Sequence, residues 1–85
     1  MKIEIVGAHA TCAPCRKLKD FLISNEIEFS FYDMADEPTE RYVELTDTLR
    51  SKGVRKIPAL FLNGFYQEVE TAQDVIEDLI KSGAL

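Results

Sequence analysis

A chain of 85 residues with 46% apolar and 29% charged side chains has the balance of a small globular domain, and its length suits one domain spanning 1–85. Ten Lys and Arg against fifteen Asp and Glu leave a net charge of −5, which argues against nonspecific nucleic-acid binding, since that depends on an excess of basic side chains. No apolar run approaches the roughly 18–20 residues that span a bilayer, and Met1-Lys2-Ile3-Glu4 lacks the long apolar region of a secretory signal, so a cytoplasmic monomer off the membrane is expected.

Met1, Ile3 and Ile5 alternate with Lys2 and Glu4 before Val6-Gly7, which predicts a first strand running into a turn. After a short loop, Cys15, Leu18, Phe21 and Leu22 recur at helical spacing, so a first helix starts at the cysteines; Pro14 is tolerated in its first turn, where a backbone N–H has no helical partner. Ile27, Phe29 and Phe31 alternate with polar residues and predict a second strand over 27–32. Pro38 is placed to open a second helix over roughly 38–52 with Tyr42, Leu45 and Leu49 on its apolar stripe and Gly53 as its stop. Ile57 to Leu62 form a short apolar run, Asn63-Gly64 is a strong hairpin signal, and Phe65-Tyr66-Gln67 return as a fourth strand. Thr71 resembles a cap for a last helix that buries Val75, Ile76, Leu79 and Ile80 and ends at Gly83. The order is β-α-β-α-β-β-α, an α/β arrangement.

The chemistry-bearing stretch is Thr11-Cys12-Ala13-Pro14-Cys15-Arg16-Lys17. Two cysteines separated by two residues lie about one helical turn apart, close enough to cycle between dithiol and disulfide. At the helix start Cys12 meets unpaired backbone N–H groups and the positive end of the helix dipole, both of which favour thiolate, so Cys12 is expected to attack and Cys15 to resolve. Two cysteines are too few for a secreted disulfide scaffold. Zinc wants four ligands, and only Cys12, Cys15 and His9 are at hand, so no metal is expected. The bland readings are inert buried cysteines, a loop histidine at His9, and a solvated helix end in the basic run Arg50, Lys52, Arg55 and Lys56, whose other reading is a cluster that attracts an anionic tripeptide. Residues 20–47 hold nine acids and one base and read as a solvated face.

The element order, Cys12-Ala13-Pro14-Cys15 after the first strand, and Ile57-Pro58 opening the third resemble the glutaredoxin branch of the thioredoxin superfamily. The resemblance implies a thioredoxin fold with sheet order 2-1-3-4, helices one and three on one face and helix two on the other, and a cis Pro58 beside the dithiol. It implies a thiol–disulfide oxidoreductase acting on protein or glutathione mixed disulfides, with no bound cofactor, glutathione as electron donor, and ribonucleotide reductase among the partners to consider. His9 stands where the family often has a basic residue for the glycine carboxylate; with Thr11, Arg16 and Lys56 it forms the candidate set for glutathione or substrate, beside the loop residues Ala13, Pro14, Ile57 and Pro58.

Three departures matter. Glutaredoxins typically carry Cys-Pro-Tyr-Cys, Thr-Val-Pro, and a Gly-Gly followed by acids; here stand Cys12-Ala13-Pro14-Cys15, Lys56-Ile57-Pro58 and Glu68-Val69-Glu70-Thr71. Glu68 or Glu70 would repel a glutathione carboxylate. The alternative is therefore a thioredoxin-like carrier reduced by thioredoxin reductase, toward which the missing Gly-Gly and Pro14 point. From other classes, a non-catalytic binding module would keep the fold and use the groove by Pro58, and an iron–sulfur cluster shared between two chains with glutathione is tied by the resemblance mainly to single-cysteine or altered motifs.

Overall fold

The structure, a computed structural model, describes residues 1–67 and 72–84. Its elements are β1 (Ile3–Gly7), α1 (Ala13–Ser24), β2 (Ser30–Asp33), α2 (Glu40–Ser51), β3 (Ala59–Leu62), β4 (Phe65–Tyr66) and α3 (Ala72–Lys81). The mixed sheet has the order β2-β1-β3-β4: β1 runs parallel to β2, with Val6 opposite Tyr32, and antiparallel to β3, with Ile5 opposite Leu60. This is the thioredoxin-like α/β fold expected from the sequence.

Strand alternation sorts the core into two layers. Ile3 and Ile5 of β1, with Leu60 and Leu62 of β3, face Leu18 and Leu22 of α1 and Ile76 of α3. Val6, Ala59 and Phe61 point the other way and meet Leu45 and Leu49 of α2. Because helices cover both faces, all five residues of β1 are buried, including Glu4, whose position in an alternating pattern reads as solvent-facing. Arg41 of α2 supplies the missing partner: its Nε and Nη2 donate to the two Glu4 carboxylate oxygens at 2.7 and 2.6 Å, and the Tyr32 hydroxyl adds a third hydrogen bond at 3.2 Å. The Arg41 guanidinium thus holds the Glu4 carboxyl below its usual range against the opposing effect of burial.

Several boundaries differ from expectation for local reasons. The second strand begins at Ser30, not Ile27, because Glu26 takes a left-handed conformation (φ 56°) and the Ile27 N–H closes the end of α1 on the Leu22 carbonyl. Ile27 and Phe29 still pack against the core as half-buried side chains. Pro38 lies outside α2; Thr39 caps that helix, its hydroxyl accepting from the Tyr42 N–H. The third strand starts at Ala59, after an Ile57–Pro58 peptide that is cis, and β4 ends at Tyr66, although the Gln67 N–H still donates to the Leu60 carbonyl. Asn63 and Gly64, at φ 52° and 88°, form the tight turn between β3 and β4. The expected cap at Thr71 lies outside the described residues, as do Glu68 and Glu70.

Candidate active site

Both cysteines are placed by the junction of β1 and α1. Cys12 is the N-cap of α1, its Sγ accepting the Cys15 N–H at 3.3 Å, and Ala13 and Pro14 form the first turn. The two cysteines are joined as a disulfide with Cα atoms 5.3 Å apart. Cys15 is fully enclosed, whereas Cys12 retains 8% exposure. Around them gather Ala8, Phe31 and Ile57, and the Ile57 carbonyl oxygen lies 4.0 Å from Cys12 Sγ. The Ile57–Pro58 loop therefore flanks the sulfur nearer to solvent.

A groove of about 410 Å³ opens beside this pair, lined among others by Pro14, Lys17, Lys56, Pro58, Tyr66 and Gln73. Its walls are apolar with cationic and amide edges, a composition suited to a short peptide bearing carboxylates. Tyr66 is fixed against Phe61, ring centroids 5.6 Å apart, and so serves both as hairpin packing and as groove wall. Phe65, by contrast, is 74% exposed and lines no part of it.

The remaining sequence candidates sit elsewhere. Arg16 turns its guanidinium to the loop before Cys12, where Nη1 donates to the carbonyls of His9 at 2.8 Å and Ala10 at 3.1 Å. Thr11 is exposed on the same loop. His9 is exposed too, its Nδ1 3.3 Å from Lys19 Nζ, and that ammonium rests 4.3 Å from the centre of the Phe31 ring. Neither His9, Thr11 nor Arg16 lines the groove, whereas Lys56 does.

Two residues that sequence reasoning passed over shape the site. Gly7 ends β1 directly beneath the disulfide: a Cβ there would stand 2.7 Å from Cys15 Sγ and 3.4 Å from the Phe31 ring. A glycine inside a strand pattern signals such a close approach. Gly7→Ala is expected to lower stability by about 2 kcal/mol through overpacking and to slow disulfide formation between the cysteines, checked by thermal melts and by thiol titration during reoxidation.

Asp33 is the second. Its carboxylate accepts the Ala35 N–H at 2.9 Å and the His9 N–H at 3.2 Å, tying the end of β2 to the loop that leads to Cys12. The Ala35 N–H foremost, and then the His9 N–H, hold the Asp33 carboxyl below the usual carboxylate range. A lowered carboxylate stabilises the fold above its unfolded-state value and loses that contribution as pH falls through its folded one. The His9 amide resonance is therefore expected to stay unmoved at neutral pH and to shift only on strong acidification, with Asp33→Asn removing the transition.

Among the described residues no helix is long and apolar enough to cross a membrane, and no group of three or more His, Cys, Asp or Glu is placed to hold a metal ion. A search of curated proteins gave no match. The glutaredoxin family model, however, matches residues 1–67, from β1 through the cysteines and the Ile57–Pro58 loop to the hairpin. By that match, and with the sheet order that such a chain requires, the protein belongs to the glutaredoxin family of redox oxidoreductases.

Proposed function

We propose that the protein reduces disulfides in other proteins, and mixed disulfides with glutathione, through Cys12 and Cys15. The observation that carries this reading is the asymmetry of the pair: Cys12 caps the helix and reaches solvent beside a groove, while Cys15 is wholly enclosed one turn below. In the reduced protein the Cys12 thiolate, favoured by the Cys15 N–H and the helix terminus, attacks one sulfur of the substrate disulfide. A mixed disulfide forms, and the departing substrate thiolate takes a proton from water. The Cys15 thiolate then attacks Cys12 Sγ, releasing the second substrate thiolate and leaving Cys12–Cys15 oxidised, so that two electrons pass to the substrate. The Ile57 carbonyl and Pro58 line the approach and orient the incoming chain.

Two molecules of glutathione would return the protein to its dithiol, and the groove beside Pro58, with Lys17 and Lys56 at its edge, supports that donor. The acidic Glu68 and Glu70, where the family has Gly-Gly, favour a flavoprotein thioredoxin reductase instead. A reducing cytoplasm suits either. Reduction of insulin and of a small glutathione mixed disulfide, run in parallel with glutathione plus its reductase or with thioredoxin reductase, tests both. Turnover with glutathione supports the first donor, turnover only with thioredoxin reductase replaces it with the second, and silence in both with thiols confirmed reduced overturns the enzymatic reading in favour of a binding module.

A further inference from the structure

Arg16 brackets Cys12 from both sides. Its backbone N–H donates to the Cys12 carbonyl at 3.2 Å, the first bond of α1, while its side chain folds back so that Nη1 donates to the carbonyls of His9 and Ala10 at 2.8 and 3.1 Å. The chain from His9 to Arg16 is thereby closed on itself, with Cys12 at the bend. The other side of His9 is held from the sheet, where its N–H donates to the Asp33 carboxylate at the end of β2. Inside this frame Cys12 keeps the extended backbone of an N-cap, φ −126° and ψ 101°, and its Sγ accepts the Cys15 N–H at 3.3 Å.

We propose that Arg16 is a positioning residue for the attacking sulfur: its guanidinium, tied to the His9 and Ala10 carbonyls, holds Cys12 where the Cys15 N–H meets its thiolate. The proposal rests on the dithiol reading above and assigns Arg16 to the nucleophile instead of to the substrate. Lys17, the next residue of α1, lines the groove beside the cysteines, whereas Arg16 does not. No carboxylate pairs with Arg16 among the described residues, so its donors are committed to the loop. Asp33 has the opposite charge and holds the same residue from the other side. That opposition separates geometry from charge. A nearby cation favours thiolate and a nearby anion disfavours it, so by charge alone losing Arg16 makes Cys12 less reactive and losing Asp33 makes it more reactive. By positioning, either loss frees the loop and makes Cys12 less reactive.

The test uses the full-length reduced protein and follows alkylation at neutral pH by uncharged iodoacetamide and by anionic iodoacetate, with the modified cysteine identified by mass. Arg16→Met keeps most of the aliphatic stem and removes the donors. A hydrogen bond to a charged sulfur is worth roughly tenfold or more in thiolate, and the higher nucleophilicity of a more basic thiolate returns part of that, so Cys12 alkylation is expected to slow at least about threefold. The loss is expected to be equal for the two reagents, to recur in direction in Asp33→Ala, and to come with a displaced Cys15 amide resonance in both variants. An unchanged rate in Arg16→Met, a loss confined to iodoacetate, or faster alkylation in Asp33→Ala overturns the proposal. Should Arg16→Met fail to fold, as judged by its melting curve, Arg16→Gln takes its place with the same expected outcomes. Insulin reduction by the same proteins separates the two readings. Alkylation that slows in both variants while the wild type reduces no disulfide defeats the dithiol activity and leaves the role of Arg16 standing, whereas disulfide reduction with alkylation unchanged defeats the positioning alone.

Discussion

Glu4→Ala is expected to cost about 3 kcal/mol of stability and to lower the melting temperature by roughly 10–20 °C, the largest effect of any single substitution outside the hydrophobic core. The side chain is wholly buried and takes two hydrogen bonds from Arg41 and one from Tyr32. Removing one member of a buried ionic pair strands the other, which costs about 3–5 kcal/mol where no water can reach it. Arg41 is 32% exposed and recovers part of its hydration, which places the loss at the low end of that range. Replacing the pair together, with Leu at Glu4 and Met at Arg41, is expected to return most of the loss, since apolar side chains of similar volume fill the same space without a stranded charge. Urea denaturation of the three proteins checks this, and a loss below about 1 kcal/mol for Glu4→Ala would show the pair to be ornamental.

The same pair gives the protein an acid limit. The Glu4 carboxyl is held below its ordinary value in the folded state, so its contribution is complete above the unfolded-state value and is lost as pH falls through the folded one. Wild-type stability is therefore expected to decline below about pH 4.5 more steeply than that of Glu4→Gln, whose amide does not titrate there. Parallel melting curves that keep the same spacing from pH 7 to pH 3 would contradict this.

Cys12→Ser is expected to bring disulfide reduction down to the rate of the solution reaction, because Cys15, the only other cysteine, is wholly enclosed. Cys15→Ser separates the two steps. Cys12 still attacks, but nothing below it completes the exchange, so the substrate stays attached as a mixed disulfide, visible as a mass adduct that dithiothreitol removes. With glutathione present in excess, a second glutathione thiol can release the adduct from Cys12, so this variant is expected to keep activity on small glutathione mixed disulfides while losing insulin reduction. Full insulin reduction by Cys15→Ser would remove Cys15 from the proposed cycle.

The parts of the fold legible in the sequence are those written by local rules. Cys15, Leu18 and Leu22 repeat at helical spacing and are the buried face of α1; Asn63-Gly64 is the β3–β4 turn; Gly53 and Gly83 take the left-handed conformation that ends α2 and α3. What local rules miss is set by distant partners. Glu4 reads as a solvent-facing residue of an alternating strand until Arg41, 37 residues away, is folded over it. Ile27 looks like strand because it is apolar and alternating, yet its N–H is committed to the end of α1. Asp33 reads as one more acid of a charged tract, and only the parallel pairing of β2 with β1 brings it to the His9 N–H. The cysteine motif pointed to the site, and the basic run from Arg50 to Lys56 was legible as a cluster, but its placement was not, since Met34 and Tyr42 meet Arg50 and Arg55 only in the folded chain.

The complete enclosure of Cys15 beneath Cys12 bears on kinetics as well as on chemistry. A carrier whose inner sulfur can be approached only through its outer one accommodates a single client at a time, because donor and acceptor must use the same doorway. Each must leave before the other enters. Initial-rate plots against the two substrates should accordingly give parallel lines, the pattern of a ping-pong cycle, and no ternary complex with donor and acceptor bound together should accumulate at any concentration of either.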